Sequence, residues 1–205
     1  MKTKQRVLLA LLAAAVLLGA ALAEHIDVRV IAQALAEFTA VPGRFELVKA
    51  GQNFTIIVDY AHTPDGVQNV LETARKIAKK RIIAVFGCGG DRDNTKRPIM
   101  GRLAGQLADV VIATSDNPRT EDPQRILDMV EAGVEETIGD KHHEKIIDRR
   151  EAICRAVELA EKDDIVAILG KGHENYQILK DKTIHFDDRE EARAAVAAKL
   201  AKEGK

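Results

Sequence analysis

Apolar residues fall along this chain in two alternating rhythms. Short unbroken runs rich in β-branched residues occupy Phe54–Asp59, Arg81–Phe86, Asp109–Thr114 and Asp164–Leu169. Runs of this kind predict strands buried in a parallel sheet. Between them, apolar positions recur at helical spacing. Val67, Val70, Leu71, Ala74 and Ala78 mark a helix over Asp65–Lys79, and further helices are predicted over Pro98–Leu107, Pro123–Ile138, Arg150–Glu161 and Asp187–Lys202. Pro98 suits the first turn of its helix, and Asp187 or Asp188 suits the cap of the last one. Shorter strands are predicted at Arg44–Val48 and Glu144–Ile147, and Tyr176–Leu179 with Thr183–Phe186 reads as a hairpin around Lys180-Asp181-Lys182. Strand and helix alternate, so the expected fold is α/β: a mostly parallel sheet with helices on both faces and one antiparallel hairpin.

The first segment breaks this rhythm. Lys2, Lys4 and Arg6 precede an apolar run over Val7–Leu22 that ends in Ala21-Leu22-Ala23. A basic start, an apolar middle and a small-residue end form a secretory signal pattern. The other reading is a helix, because Ala and Leu are strong helix formers and Val28, Ile31, Ala32, Leu35 and Phe38 continue at helical spacing. A membrane span is disfavoured, since the run is short and diluted with alanine. The expected division is residues 1–39 as an apolar helical or signal-like segment and residues 40–205 as the main domain.

Composition narrows the function. Hydrophobic residues make up 46% and charged residues 31% of the 205, as in a globular chain. The net charge is −1 and aromatics are only 3%, with no Trp. Neither a polyanionic partner nor a stacking surface for single strands is indicated, so no nucleic acid is expected. Cys88 and Cys154 form no CxxC pair, which fits a reducing compartment.

The candidate chemistry sits at strand ends. Gly87–Asp93, Asp116–Arg119 and Gly170–Glu174 each follow a predicted strand, on what should be one edge of the sheet. Arg92 and Arg119 supply positive charge; Asp116 and Glu174 supply negative charge. Pro118 stiffens its loop and pushes Asn117 toward an extended conformation. A planar guanidinium suits a carboxylate and a carboxylate suits an ammonium, so the mixture fits an amino acid better than a phosphate or a metal. The plain alternative is a turn leading into a helix, with Asp116 or Thr120 as cap and Arg119 solvated. Asp59-Tyr60-Ala61-His62-Thr63-Pro64 forms a fourth such loop. Asp59 could accept from ribose hydroxyls and His62 could be a polar contact, or the loop is only a capped turn. His142-His143 reads as solvated, and no metal site is expected. Cys88 reads as a small packing residue.

Taken in order, Val41-Pro42-Gly43-Arg44-Phe45-Glu46, Asp59–Pro64, Gly87–Pro98 (GCGGDRDNTKRP), Asp116–Arg119 and Gly170–Glu174 (GKGHE) resemble the C-terminal domain of the Mur ligases. The similarity lies with the branch that adds the third residue of the peptidoglycan stem peptide, and runs from about Ala40 to the C-terminus. It implies a Rossmann-like sheet and a part in cytoplasmic cell-wall synthesis. It further implies that Arg92, Asn117, Arg119, Gly170 and Glu174, with Asp116 and Pro118 in the same loop, bind meso-diaminopimelate. Lysine-adding members usually lack the arginine. Arg44 and Asp59 are implied to approach ATP, with Asp59 at the ribose and His62 a further candidate on that side.

The sequence departs from the family in having no GxxGK[ST] loop. The central domain that cradles ATP and Mg2+ has no counterpart in it, nor does the domain that holds UDP-MurNAc-L-Ala-D-Glu. No catalytic residue of the phosphoryl step is therefore expected in this chain, which reads as a partial enzyme inactive alone. The competing reading is a stand-alone, non-catalytic module for a cell-wall amino acid or peptide, exported if residues 1–23 act as a signal. Another amide ligase of the superfamily is disfavoured by the Asp-Asn-Pro-Arg and Gly-Lys-Gly-His-Glu loops.

Overall fold

The computed structural model describes residues 19, 23–37 and 41–204. The chain divides between residues 40 and 41 into two compact units. In the first, helix α1 (Val28–Glu37) forms where the apolar spacing placed it. Apart from Gly19, the Val7–Leu22 run lies outside the described residues, as does Phe38. Among the described residues, no helix is long and apolar enough to cross a membrane.

The second unit runs β1 (Glu46–Val48), β2 (Thr55–Asp59), α2 (Pro64–Ile77), β3 (Ile82–Phe86), α3 (Lys96–Leu107), β4 (Val110–Thr114), α4 (Pro123–Ile138), β5 (His142–Ile146), α5 (Arg149–Leu159), β6 (Ile165–Leu169), β7 (Tyr176–Ile178), β8 (Thr183–His185) and α6 (Asp188–Lys202). The main sheet has six strands in the order β1-β2-β6-β3-β4-β5. Only β1 is antiparallel, to β2; the other pairings are parallel. The strand β6 sits between β2 and β3, with Ala167 level with Ile57 on one side and Ala84 on the other.

The two faces of the sheet build two cores. In β3, Ile82, Ala84 and Phe86 point to one face with Val67 and Leu71 of α2, Met100 of α3 and Leu127 and Val130 of α4. Ile83 and Val85 point to the other, with Ile153 and Val157 of α5 and Val196 of α6. Handedness explains this division. The chain steps from β3 to β4 to β5 in one direction, with its helices on one face. It then returns across the sheet to β6, and a right-handed crossover in that direction puts α5 on the opposite face.

Side-chain caps set most helix starts. Thr63 accepts from Gly66 N at 3.2 Å, Asp122 from Gln124 N at 2.9 Å, Asp148 from Glu151 N at 3.1 Å and Asp187 from Arg189 N at 2.8 Å. The start of α3 differs from expectation. Asp93 Oδ1 accepts from both Thr95 N and Thr95 Oγ1, at 2.9 and 2.6 Å, which folds the turn early and begins the helix at Lys96. Pro98 then falls within the first turn, where its missing N–H leaves nothing unpaired. The strand β5 also begins early, at His142 rather than Glu144, because His142 pairs with Val110 on an edge where polar side chains stay wet.

Two close approaches hold the frame. Helices α3 and α4 meet through Gly101, Gly105 and Gly133, and a Cβ at Gly133 would lie 1.9 Å from Pro98 O. At the sheet edge remote from the charged loops, Asp164 is fully buried. Its carboxylate accepts from Arg81 N, the Arg81 guanidinium and Glu161 N. Burial pushes the Asp164 carboxyl up, but Arg81 and the two backbone N–H groups outweigh it and hold the group below the usual carboxylate range.

Gly133→Ala should therefore destabilise by about 1–3 kcal/mol through overpacking, although Gly→Ala in an open helix stabilises by about 1 kcal/mol. Urea denaturation reads the sign directly. Asp164 gives a pH signature of its own. Because its folded pKa is depressed, its stabilisation is complete above the unfolded value of about 4 and is lost as pH falls through the folded value. Unfolding free energy should drop below about pH 4, and Asp164→Asn should remove part of that drop.

Candidate functional site

Because β2, β6, β3 and β4 are adjacent and parallel, the loops leaving their carboxyl ends share one edge. Backbone bonds tie the loops in pairs. Gly170 N donates to Asp59 O at 3.0 Å, and Gly90 N donates to Asn117 O at 2.9 Å. Asp91 accepts from Thr120 N and Thr120 Oγ1, at 3.2 and 2.8 Å, and so joins the glycine loop to the Asp116 loop. The β7–β8 hairpin closes the far side. Gln177 Nε2 donates to Asp116 O at 2.7 Å, and Arg119 N donates to Ile178 O at 3.1 Å.

These loops enclose a cavity of about 230 Å³ lined by Tyr60, His62, Gly89, Arg92, Lys96, Asp116, Asn117, Arg119, Gly170 and Glu174. Seven residues singled out from the sequence line it. Pro118 is buried in the loop behind. Tyr60, Gly89 and Lys96 were not singled out, although each lies within a motif that was. Lys96 Nζ is held by His62 O at 2.9 Å.

Arg119 occupies the left-handed region, with φ of 53°. A non-glycine residue there stores of the order of 1 kcal/mol, a cost that clusters at functional positions. Its Nη1 donates to Gly90 O at 2.9 Å and Asn117 O at 3.3 Å. The guanidinium is thereby fixed, while Nε and Nη2 make no hydrogen bond among the described residues. A Cβ on Gly89 would lie 2.9 Å from Nη1, so glycine leaves the room this anchored geometry needs.

Across the cavity, Asn117 is fully engaged on its oxygen. Its Oδ1 accepts from Lys171 Nζ at 2.9 Å and Ile178 N at 3.0 Å, and its Nδ2 donates to Glu174 Oε2 at 3.0 Å. Lys171 is wholly buried, and burial pushes its ammonium below the usual lysine range. Asp116 Oδ1 lies 3.3 Å from Lys171 Nζ, within ion-pair range, yet it is buried and accepts no hydrogen bond. The reading of Asp116 or Thr120 as a helix cap does not hold, because the cap of α4 is Asp122, placed there by Pro123 in the first helical position.

The other candidates gather at the rim. Arg44 is exposed, with its guanidinium carbon 4.8 Å above the Tyr60 ring. That ring lies 4.5 Å from His62 and 5.1 Å from His173. Asp59 is buried, and its two oxygens accept from Phe45 N at 2.7 Å and Ala61 N at 2.8 Å. Thr63 caps the next helix, so this loop is also the capped turn the sequence allowed. Cys88 packs 3.7 Å from the Met100 sulfur, and burial raises its thiol pKa to about 12, which makes it inert. His143 lies apart with Glu131 and Glu135, their ligand atoms within 4.8 Å, and Lys145 pairs with Glu131. A larger groove of about 720 Å³ runs behind the Asp116 loop, with Ile147, Leu179 and Phe186 in its wall. Its cations Lys145, Arg149 and Arg150 are already ion-paired, so it offers no free positive charge to a carboxylate.

Residues 43–172 match the family described as Mur ligase, glutamate ligase domain. The UDP-N-acetylmuramoyl-L-alanyl-D-glutamate–2,6-diaminopimelate ligase of Syntrophomonas wolfei is 52% identical over 180 residues, covering 88% of this chain and 37% of that protein. Its namesake from Geobacillus thermodenitrificans is 56% identical over 178 residues, covering 87% and 36%. A solved structure of a ligase with the same name superimposes with a TM-score of 0.73 at 42% identity, over 88% of this chain and 36% of that one. The chain thus spans just over a third of the length of the curated relatives it matches.

Proposed function

The chain belongs to the Mur ligase family, and from that premise we propose that its cavity binds meso-diaminopimelate for addition to UDP-MurNAc-L-Ala-D-Glu by an ATP-dependent amide ligase. The observation that carries this is the Arg119 guanidinium. It is fixed through one nitrogen, has a free edge, and shares one small cavity with the carboxylates of Asp116 and Glu174. Diaminopimelate carries at its distal centre both the carboxylate that suits Arg119 and the ammonium that suits the acidic pair. Lysine carries no carboxylate there. Arg92 and Lys96 also line the cavity and add positive charge that suits the carboxylates of such an amino acid.

In this reading the chain holds and orients the incoming amine, which attacks an activated carboxyl of the growing peptide. ATP supplies the activation when bound, with Mg2+. The groups that fit ATP are the Tyr60 face with Arg44 above it, His62, and the remaining lone pairs of Asp59. No GxxGK[ST] loop cradles a γ-phosphate in this sequence, so the phosphoryl step belongs to other parts of the ligase. The proposed setting is the cytoplasm, where UDP-linked precursors are made.

Two outcomes test this. The chain alone should hydrolyse no ATP above background with Mg2+ and the dipeptide nucleotide present; turnover there overturns the division of labour. Joined to the remaining domains of a complete ligase, the wild-type domain should prefer meso-diaminopimelate to lysine. Arg119→Ala should lose about 2–5 kcal/mol toward diaminopimelate, more than tenfold, and little toward lysine. Arg119→Lys should not restore the preference, because a point charge does not replace the planar fork. An Arg119→Ala domain that keeps the wild-type preference removes the assignment.

A further inference from the structure

Lys171 is the least expected charge in the molecule. Its side chain is fully buried, one residue beyond the Gly170 that lines the cavity. Its ammonium makes hydrogen bonds with Asn117 Oδ1 at 2.9 Å and Tyr176 O at 2.8 Å, and ion pairs with Asp116 Oδ1 at 3.3 Å and Glu174 Oε2 at 3.8 Å. The Tyr176 ring lies 5.9 Å away. Two hydrogen-bond acceptors and two carboxylates surround the group and no donor among the described residues meets it, an arrangement that favours the ammonium over a neutral amine.

The flanking glycines explain how it gets there. Gly170 has φ of 120° and Gly172 has φ of 54°, both in the region that favours glycine. The chain leaves β6, turns sharply at each glycine, and drives Lys171 inward. A Cβ at Gly172 would lie 2.7 Å from Tyr60 Cβ and Gly43 O, so that turn also packs against the neighbouring loop.

We infer that Lys171 is a positioning residue for the proposed amino-acid site: its buried ammonium fixes the Asn117 amide, and through it the Glu174 carboxylate, and pairs directly with the Asp116 carboxylate, the two acids that receive the ligand's ammonium. Lys171 and Ile178 N are both donors at Asn117 Oδ1, so the amide has one possible orientation. That orientation turns Nδ2 toward Glu174 Oε2. Charge supports the same role. Asp116 and Glu174 with Lys171 sum to one negative charge, the complement of one ammonium. Without Lys171, two carboxylates share a poorly solvated space. One must then take a proton or turn out to water, and either event removes an acceptor from the ligand. Arg119 lies outside this relay, so carboxylate recognition should survive the loss of Lys171.

The inference rests on the reading of the cavity as an amino-acid site, and the test separates the two. Calorimetry on the full chain compares meso-diaminopimelate with L-2-aminopimelate, which keeps the distal carboxylate and lacks the distal ammonium. Wild type should prefer diaminopimelate. Lys171→Met should reduce that preference by about tenfold or more, with 2-aminopimelate affinity held within about threefold. Asn117→Asp is the second variant, should Lys171→Met not fold. It is isosteric and keeps a partner for Lys171, but it cannot donate to Glu174, and it should lose the same preference. Folded variants that retain the preference overturn the relay. A ligand-free readout stands beside the binding data: in Lys171→Met the Asn117 side-chain amide resonances should shift and exchange faster with solvent. If they do while wild type fails to discriminate the two ligands, the amino-acid reading falls and the relay stands. If they do not, the relay falls.

Discussion

Charge taken out of water constrains this domain more than any other feature. Arg149, Lys171, Asp116 and Asp188 are all buried near the strand ends that carry the cavity. Arg149 meets Asp188 with two parallel bonds of 2.7 Å, at 0% side-chain exposure for both. The remaining guanidinium contacts reach Leu169 O at 3.1 Å and Ser115 O at 3.5 Å. One side chain therefore joins the ends of β4 and β6 to the first residues of α5 and α6. A buried pair of this kind adds little net stability over an apolar replacement, yet losing one partner costs about 3–5 kcal/mol. Its consequence is geometric: the strand ends that carry the site have one permitted arrangement.

Secondary structure is legible in the sequence where burial dictates periodicity. The runs ending at Asp59, Phe86, Thr114 and Leu169 are wet on neither face, so they were visible as unbroken apolar stretches. Boundaries are not legible where local hydrogen bonding decides, as at Thr95, where Asp93 starts α3 early, and at His142, where an edge strand accepts polar residues. The Asp122-Pro123 pair is a legible cap signal, stronger than Asp116 or Thr120 because proline marks the first helical position.

Within the site, residues with conspicuous charge at strand ends were legible, and those whose role comes from burial were not. Lys171 sits between two glycines in a polar motif and reads as a surface charge. Only the turn geometry of Gly170 and Gly172 takes it inside. Asn117 reads as a ligand contact, and the fold spends its oxygen on Lys171 and Ile178. Tyr60 reads as part of a turn, and its place beside Arg44 and His173 depends on loops more than a hundred residues apart in sequence. Such juxtapositions follow from strand order, which local pattern does not encode.

That order bears on how the protein is made. The strand β6 is the last of the main sheet to be synthesised and lies third within it. A sheet assembled without residues 165–169 would leave a slot between β2 and β3, roughly two strand spacings or 9–10 Å wide. Each bordering edge then presents unpaired N–H and C=O groups, the kind of edge that recruits foreign strands. A chain that reached that state would be open to mispairing on both edges. The cavity is incomplete without β6, because the strand that fills the sheet also delivers Gly170 and Glu174 to its lining and Lys171 behind them.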